Sequence, residues 1–149
     1  MQTFLPVNDF MMSAMYLDNR RLNKQITETK QIWLACTFGR SRWKNHPAVK
    51  MWKGYETCLL WYGKECYIEW QDRLKRGVRG GNLCHNAGEE MFVLVDEDII
   101  ARTSFSMPPW LGDERFHSAH RAALLAKDYK YYSQFNWGEE PGISYYWPV

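Results

Sequence analysis

Apolar side chains recurring at steps of three, four and seven residues most limit how this chain can fold, because that spacing gathers them on one face of an α-helix. The series Met15, Leu22, Ile26, Thr29, Trp33 and Cys36 runs up to Gly39, a natural helix stop. Asp9, Ser13 and Asp18 each suit an N-cap, so one long helix and a short helix followed by a break near Asp18 both fit. The opposite face carries Arg20, Arg21, Lys24, Glu28 and Gln31. Pro47 suits the first turn of a second helix. From there Val49, Trp52, Tyr55, Leu59, Tyr62, Cys66, Ile68 and Trp70 keep helical spacing through Arg76, and Gly77 is the expected end. A third helix is predicted from a cap at Asp113 through Lys127, with Phe116, Ala119, Ala123 and Leu124 inward and Arg115 and Arg121 outward. Residues 83–105 are ambiguous: after a turn at Gly80-Gly81 and before the break at Pro108-Pro109, Met91 to Val95 fits a short strand or a buried helix segment. The expected fold is all-α, a compact single domain over 1–149 with about three main helices, long ordered loops and an aromatic C-terminal tail.

A chain of 149 residues can bury one core without staples, and 46% hydrophobic with 24% charged residues excludes a disordered or fibrous chain. Eight Trp, nine Tyr and seven Phe exceed the ordinary aromatic load, so some rings are expected outside the core. No apolar run reaches the roughly 18–20 residues of a membrane span, and Met1-Gln2-Thr3-Phe4 lacks the basic and apolar regions of a signal peptide, so a cytoplasmic protein is expected. Cys36, Cys58, Cys66 and Cys84 form no CxxC pair and read as reduced thiols. The nearest metal-like spacing is His117-Ser-Ala-His120, with Cys84-His85 a distant complement; surface or hydrogen-bonded histidines explain it better, and neither metal nor cofactor is expected. A P-loop, a dinucleotide-type glycine turn and a GxSxG elbow are all missing, which removes phosphoryl transfer, Rossmann hydride chemistry and the hydrolase nucleophile.

The net charge of +2 conceals a segregation: residues 19–80 carry +9, residues 1–18 carry −2 and residues 81–149 carry −5. The bases cluster as Arg20, Arg21 and Lys24, then Arg40, Arg42 and Lys44, then Arg73, Lys75, Arg76 and Arg79. A face that gathers them attracts a polyanion such as DNA; solvated helix ends are the plainer explanation of the same charges. Two segments add rings to cations: Arg40 to Trp43, and Asp128-Tyr129-Lys130-Tyr131-Tyr132. Aromatic faces stack on unpaired bases while cations hold phosphates, although the tyrosines equally suit the closing of a small helical core.

Three blocks in order resemble the pyrimidine-dimer DNA glycosylase family, the small all-helical endonuclease V type of phage and bacteria. They are Asp18-Asn-Arg20-Arg21-Leu22-Asn-Lys24, Tyr62-Gly-Lys64 through Leu74-Lys75-Arg76-Gly77, and Asp128 to Tyr132. The chain is still more similar to uncharacterised phage and actinobacterial relatives of that family. The shared phrases are Arg21-Leu22-x-Lys24-Gln25, Asn45-His46-Pro47-Ala48-Val49-Lys50-Met51-Trp52, Pro109-Trp110-Leu111-Gly112-Asp113 and Phe116-His117-x-x-His120-Arg121. The resemblance implies a base-excision protein of a phage-infected or bacterial cell that binds DNA, flips a damaged or modified pyrimidine from the stack and cuts its glycosidic bond. It also implies AP-lyase action through an amine at the chain start, since an ordinary α-amino group, with pKa ~7.7–8.0, is partly unprotonated near neutral pH.

Two departures from the family pattern follow. Its helical glutamate is replaced where Arg20-Arg21 stand for Arg-Glu, so the acid must come from Asp18, almost a turn before Arg21, or Glu28, almost two turns after it. Asp18 equally suits a cap and Glu28 a surface charge. Gln2 is too bulky for efficient removal of the initiator, so the amine is that of Met1, one residue longer than the pattern. The candidate catalytic set is therefore Met1, Arg21, Asp18 and Glu28. The candidate DNA or ligand contacts are Arg20, Lys24, Gln25, Arg40, Arg42, Trp43, Asn45, His46, Lys50, Trp52, His117, His120, Tyr129, Lys130 and Tyr131. Lys50 and Trp52 are expected near the pocket, and Tyr129, Lys130 and Tyr131 beside the base. Without a working acid, the same cleft serves a non-catalytic protein that sequesters a nucleotide or modified base; a third reading makes the excess rings a protein-interaction surface.

Overall fold

The computed structural model describes residues 1–39, 41–79 and 105–149. Arg40, the Gly80-Gly81 turn, Cys84-His85 and the Met91–Val95 segment lie outside the described residues. The architecture is all-α, with six α-helices among the described residues: α1 Phe10–Tyr16, α2 Asn19–Phe38, α3 Pro47–Trp52, α4 Glu56–Lys75, α5 Glu114–Lys127 and α6 Tyr129–Tyr132, followed by a 3₁₀ turn at Ser133–Phe135. Three of them, α2, α4 and α5, are long, as the periodicity predicts. No described helix is long and apolar enough to cross a membrane.

The chain breaks at Asp18 rather than continuing as one helix. Leu17 is extended, with ψ 138°, and the Asp18 carboxylate accepts the Arg21 N–H, so a new helix starts there. Asp9 caps α1 in the same way through the Met12 N–H, whereas Ser13 sits inside α1 and its hydroxyl donates to the Val7 carbonyl. The break carries Met15 away from the apolar face and leaves it 54% exposed. The buried stripe of α2 is Leu22, Ile26, Thr29, Ile32 and Ala35, with Asn23, Gln25 and Glu28 buried beside it. Gly39 ends α2 in the left-handed region, φ 62°, its N–H donating to the Ala35 carbonyl.

The predicted helix from Pro47 to Arg76 is two helices. Gly54, at φ 89°, turns the chain in a conformation open to glycine at little cost, and its N–H donates to the Glu56 carboxylate at the start of α4. The apolar phase survives the break because Trp52, Leu59 and Tyr62 still face the same core, so periodicity alone hid it. Asp113 caps α5 as expected. Arg121, expected outward, is half-buried: it donates to the Pro6 carbonyl at 2.7 Å and pairs with Glu139 and Glu114. The core lies between α2 and α4, where helix pairing is most extensive, and Trp52 of α3, Trp110 in the turn ahead of α5 and Phe116 of α5 join Tyr62 of α4 in it. Cys36, Cys58 and Cys66 are free thiols, and burial pushes them up to about 11, 11 and 12 respectively, far from thiolate character near neutral pH.

Candidate functional site

The first six residues form no helix or strand, yet Gln2, Thr3, Phe4, Leu5 and Pro6 are all buried. Buried backbone requires partners, and here side chains supply them. The Gln2 N–H donates to Glu28 Oε2 at 3.2 Å, the Thr3 N–H to Gln2 Oε1 at 2.9 Å, the Phe4 N–H to Gln25 Oε1 at 2.8 Å and the Leu5 N–H to His120 Nδ1 at 2.9 Å. The Leu5 carbonyl lies 2.8 Å from His117 Nδ1. His117 Nε2 accepts the Gly112 N–H, which places the ring proton on Nδ1 and makes it the donor to Leu5. The two histidines thus clamp both sides of one residue. The Tyr62 hydroxyl, 2.8 Å from both the Phe4 carbonyl and Gln25 Oε1, and the Trp52 indole N–H, donating to Thr3 Oγ1 at 2.9 Å, complete the grip.

That grip fixes the chain's α-amino group. Met1 N lies 4.0 Å from Glu28 Oε1, and the same oxygen is 3.3 Å from Lys24 Nζ. Amine and carboxylate open into a cleft of about 370 Å³ lined also by Gln2, Phe4, Arg20, Arg21, Lys24, Gln25, Lys127, Ile143 and Tyr145. Its size falls in the range of roughly 300–1,000 Å³ typical of small-molecule sites. Among the described residues, four cationic side chains, Arg20, Arg21, Lys24 and Lys127, surround the one carboxylate of the lining, an arrangement that suits an anionic ligand with positive charge forming beside the carboxylate. Asp18 is not part of the lining. One oxygen caps α2, and the other accepts both Arg21 Nη1 and the Tyr132 hydroxyl at 2.7 Å, so Asp18 aims Arg21. Those bonds hold its carboxyl below the ordinary carboxylate range despite the opposing effect of burial.

Of the residues expected from sequence, Met1, Glu28, Arg20, Arg21, Lys24 and Gln25 converge on this cleft. Glu28 is 7% exposed and is not the surface charge its place on the polar face suggested. His117 and His120, expected as ligand contacts, are 2% and 0% exposed and belong to the clamp; burial lowers the pKa of both, against the opposing hydrogen bond to Leu5 at His117 and with the help of His117 at His120, which is held down to about 3. Trp52 is likewise a core side chain, with no exposure, beneath the segment rather than at the pocket. Tyr129, Lys130 and Tyr131 are not in the cleft lining. Tyr129 and Lys130 are exposed, and Tyr131 lines a separate depression with Asn19, Arg73 and Arg76. Arg42, Trp43 and Asn45 are exposed in the turn before α3, His46 is half-exposed at its start, and Lys50 is exposed one turn along it.

Sequence reasoning missed Gln2, Phe4, Lys127, Ile143 and Tyr145 as cleft residues. The aromatic tail was the available signal for Tyr145, which packs on Phe4 and His120. A larger groove of about 510 Å³ over α1 and α4 is lined by Glu65, Glu69 and Asp72 with Lys75 and Arg76, beside Met11, Met15 and Ile68; acids outnumber bases there, which makes it a poorer place for a polyanion than the amine cleft.

A family model for pyrimidine dimer DNA glycosylase matches residues 1–79, which hold α1 to α4 and every cleft residue except Lys127, Ile143 and Tyr145. No curated protein and no solved structure matches the chain.

Proposed function

Because the chain belongs to the pyrimidine dimer DNA glycosylase family, we propose that its amine cleft excises a flipped pyrimidine from DNA and then acts as an AP lyase, with Met1 as nucleophile and Glu28 as its acid–base partner. The observation that carries this reading is the meeting of Met1 N and Glu28 Oε1 at 4.0 Å inside a cation-lined cleft.

Glu28 takes the proton that the Met1 ammonium must lose, and the freed nitrogen lone pair adds to C1′ of the everted nucleotide. The glycosidic bonding pair leaves with the base, which takes the proton back from Glu28. The adduct nitrogen then passes a second proton by way of Glu28 to the ring oxygen O4′ as the C1′–O4′ bond breaks, giving an iminium between Met1 N and C1′ whose positive charge the ionised Glu28 stabilises. Removal of a 2′ proton expels the 3′ phosphate, and water hydrolyses the iminium to restore the amine. Arg20, Lys24 and Lys127 hold the flanking phosphates, and Arg21, locked by Asp18, offers a fixed fork to one of them. Glu28 supplies the acid that Arg21 cannot, from farther along the same helix.

Borohydride trapping on duplex DNA with an abasic site tests this reading. The native chain is expected to give a covalent adduct, a chain extended by two residues ahead of Met1 none, and Glu28→Gln an adduct formed about 10²–10⁴-fold more slowly. An adduct that is indifferent to both changes contradicts the assignment. Absence of adduct with intact release of a bound nucleotide would instead indicate a sequestering protein.

A further inference from the structure

Beyond the cleft, rings continue along the surface. Tyr145 in the cleft wall contacts Trp147 at 5.5 Å between centroids, Trp147 stands edge-on to His46 at 5.9 Å, and His46 stands edge-on to Trp43 at 6.0 Å. The Arg42 guanidinium covers the Trp43 ring at 5.1 Å. The turn that presents Trp43 is braced from within: the Trp43 N–H donates to Ser41 Oγ, the Lys44 N–H to the Ser41 carbonyl and the His46 N–H to the Trp43 carbonyl. An indole left 39% exposed among Arg42, Lys44 and Asn45 contributes little to folding, whose core is already filled by Trp52, Trp110, Tyr62 and Phe116. His46 is held in place as well, its Nδ1 accepting the Ala48 N–H at 3.1 Å. It lies near enough to the cleft for the Met1 ammonium to add to burial in lowering its pKa.

We propose that Trp43, His46 and Trp147 form a stacking track, continuous with the amine cleft, for unpaired nucleobases of single-stranded DNA, with Arg42, Lys44 and Lys50 on its phosphates. The track rests on the reading of the cleft as a DNA site and narrows its substrate: the strand beside the reacting nucleotide is unpaired. Rings accept any base by its face, and exposed cations follow the backbone without reading sequence, which is the chemistry of single-strand grooves.

Fluorescence anisotropy with an undamaged oligothymidylate and with a blunt duplex of equal length tests the track. The native protein should bind the single strand at least as tightly as the duplex. Trp43→Ala should weaken single-strand binding about 5- to 100-fold, the range set by loss of one base stack, with a much smaller change on duplex. Trp43→Phe should recover most of the loss. Arg42→Ala should lower the slope of log affinity against log salt by about 0.7 on single strands. Single-strand affinity within about twofold of native in Trp43→Ala, or an equal loss on duplex, overturns the track. Borohydride trapping of the native protein on an abasic site within a single strand, where the track is satisfied, separates the two ideas. An adduct together with a Trp43-independent single-strand affinity sinks the track and spares the cleft. No adduct, with affinity still dependent on Trp43, sinks the catalytic reading and spares the track.

Discussion

At the scale of single residues, the fold depends on side chains that replace secondary structure. His120 shows the cost. Its Nδ1 accepts the Leu5 N–H while its Nε2 is buried without a hydrogen-bond partner among the described residues, the ring packs against Phe116 and Phe4, and burial holds it down to about 3. In the unfolded chain the same histidine titrates near 6.5, so between these values the unfolded state binds a proton that the folded state refuses. Stability from this group is present in full above 6.5 and is lost as pH falls, by about 1.4 kcal/mol per pH unit, until about 3. Urea unfolding at a series of pH values should show at least that slope in the native protein, since His117 adds to it. His120→Gln, which keeps an acceptor for Leu5, should lessen the slope, and an unchanged slope contradicts the clamp. His117-x-x-His120 was visible in the sequence as a pair on one helix face, but nothing local says that the partner is a peptide more than a hundred residues away. Glu28 was legible as a candidate acid and illegible as a buried one, because its neighbours on the polar face, Arg20 and Lys24, are exposed.

At the scale of elements, the helices follow from caps and periodicity, and their junctions from contacts the periodicity does not encode. Arg73 of α4 is the clearest case. Its guanidinium donates to the Leu17 carbonyl at 2.6 Å, the Met15 carbonyl at 3.1 Å, the Ala14 carbonyl at 3.4 Å and Asn19 Oδ1 at 3.0 Å, and Nε pairs with Glu69 at 2.8 Å. One side chain thus satisfies the carbonyls at the end of α1 and spans the break that begins α2. Arg73→Met should cost about 3–5 kcal/mol in denaturant unfolding, because it strands several buried acceptors together and leaves Glu69 only its longer pairing with Arg76. Arg73→Lys should recover only part, since a single ammonium cannot serve the whole fork. A cost near that of a surface substitution would remove Arg73 from this role. In the sequence Arg73 reads as one more base in a cluster with Lys75 and Arg76, both exposed; charge counting cannot separate a buried fork from its solvated neighbours. The Gly54 break had its signal in the glycine itself, masked by the unbroken apolar phase on either side.

At the scale of the whole molecule, the basic middle of the sequence and its less basic ends meet at one cleft: α2 brings Arg20, Arg21, Lys24 and Glu28, the first residues bring the amine, and α5 and the tail bring Lys127 and Tyr145. Long-range geometry of this kind is written in no local pattern. Lys24 Nζ shares Glu28 with the amine, so it is the competing nucleophile that any account centred on Met1 must exclude. Trypsin makes the distinction direct, because the peptide Met1 to Arg20 contains no lysine and the α-amino group is its only amine. The decisive measurement is mass spectrometry of a tryptic and nuclease digest of the borohydride-reduced complex with abasic DNA. A Met1 nucleophile leaves the sugar remnant on the Met1–Arg20 peptide; a remnant on the peptide that carries Lys24 would rule Met1 out.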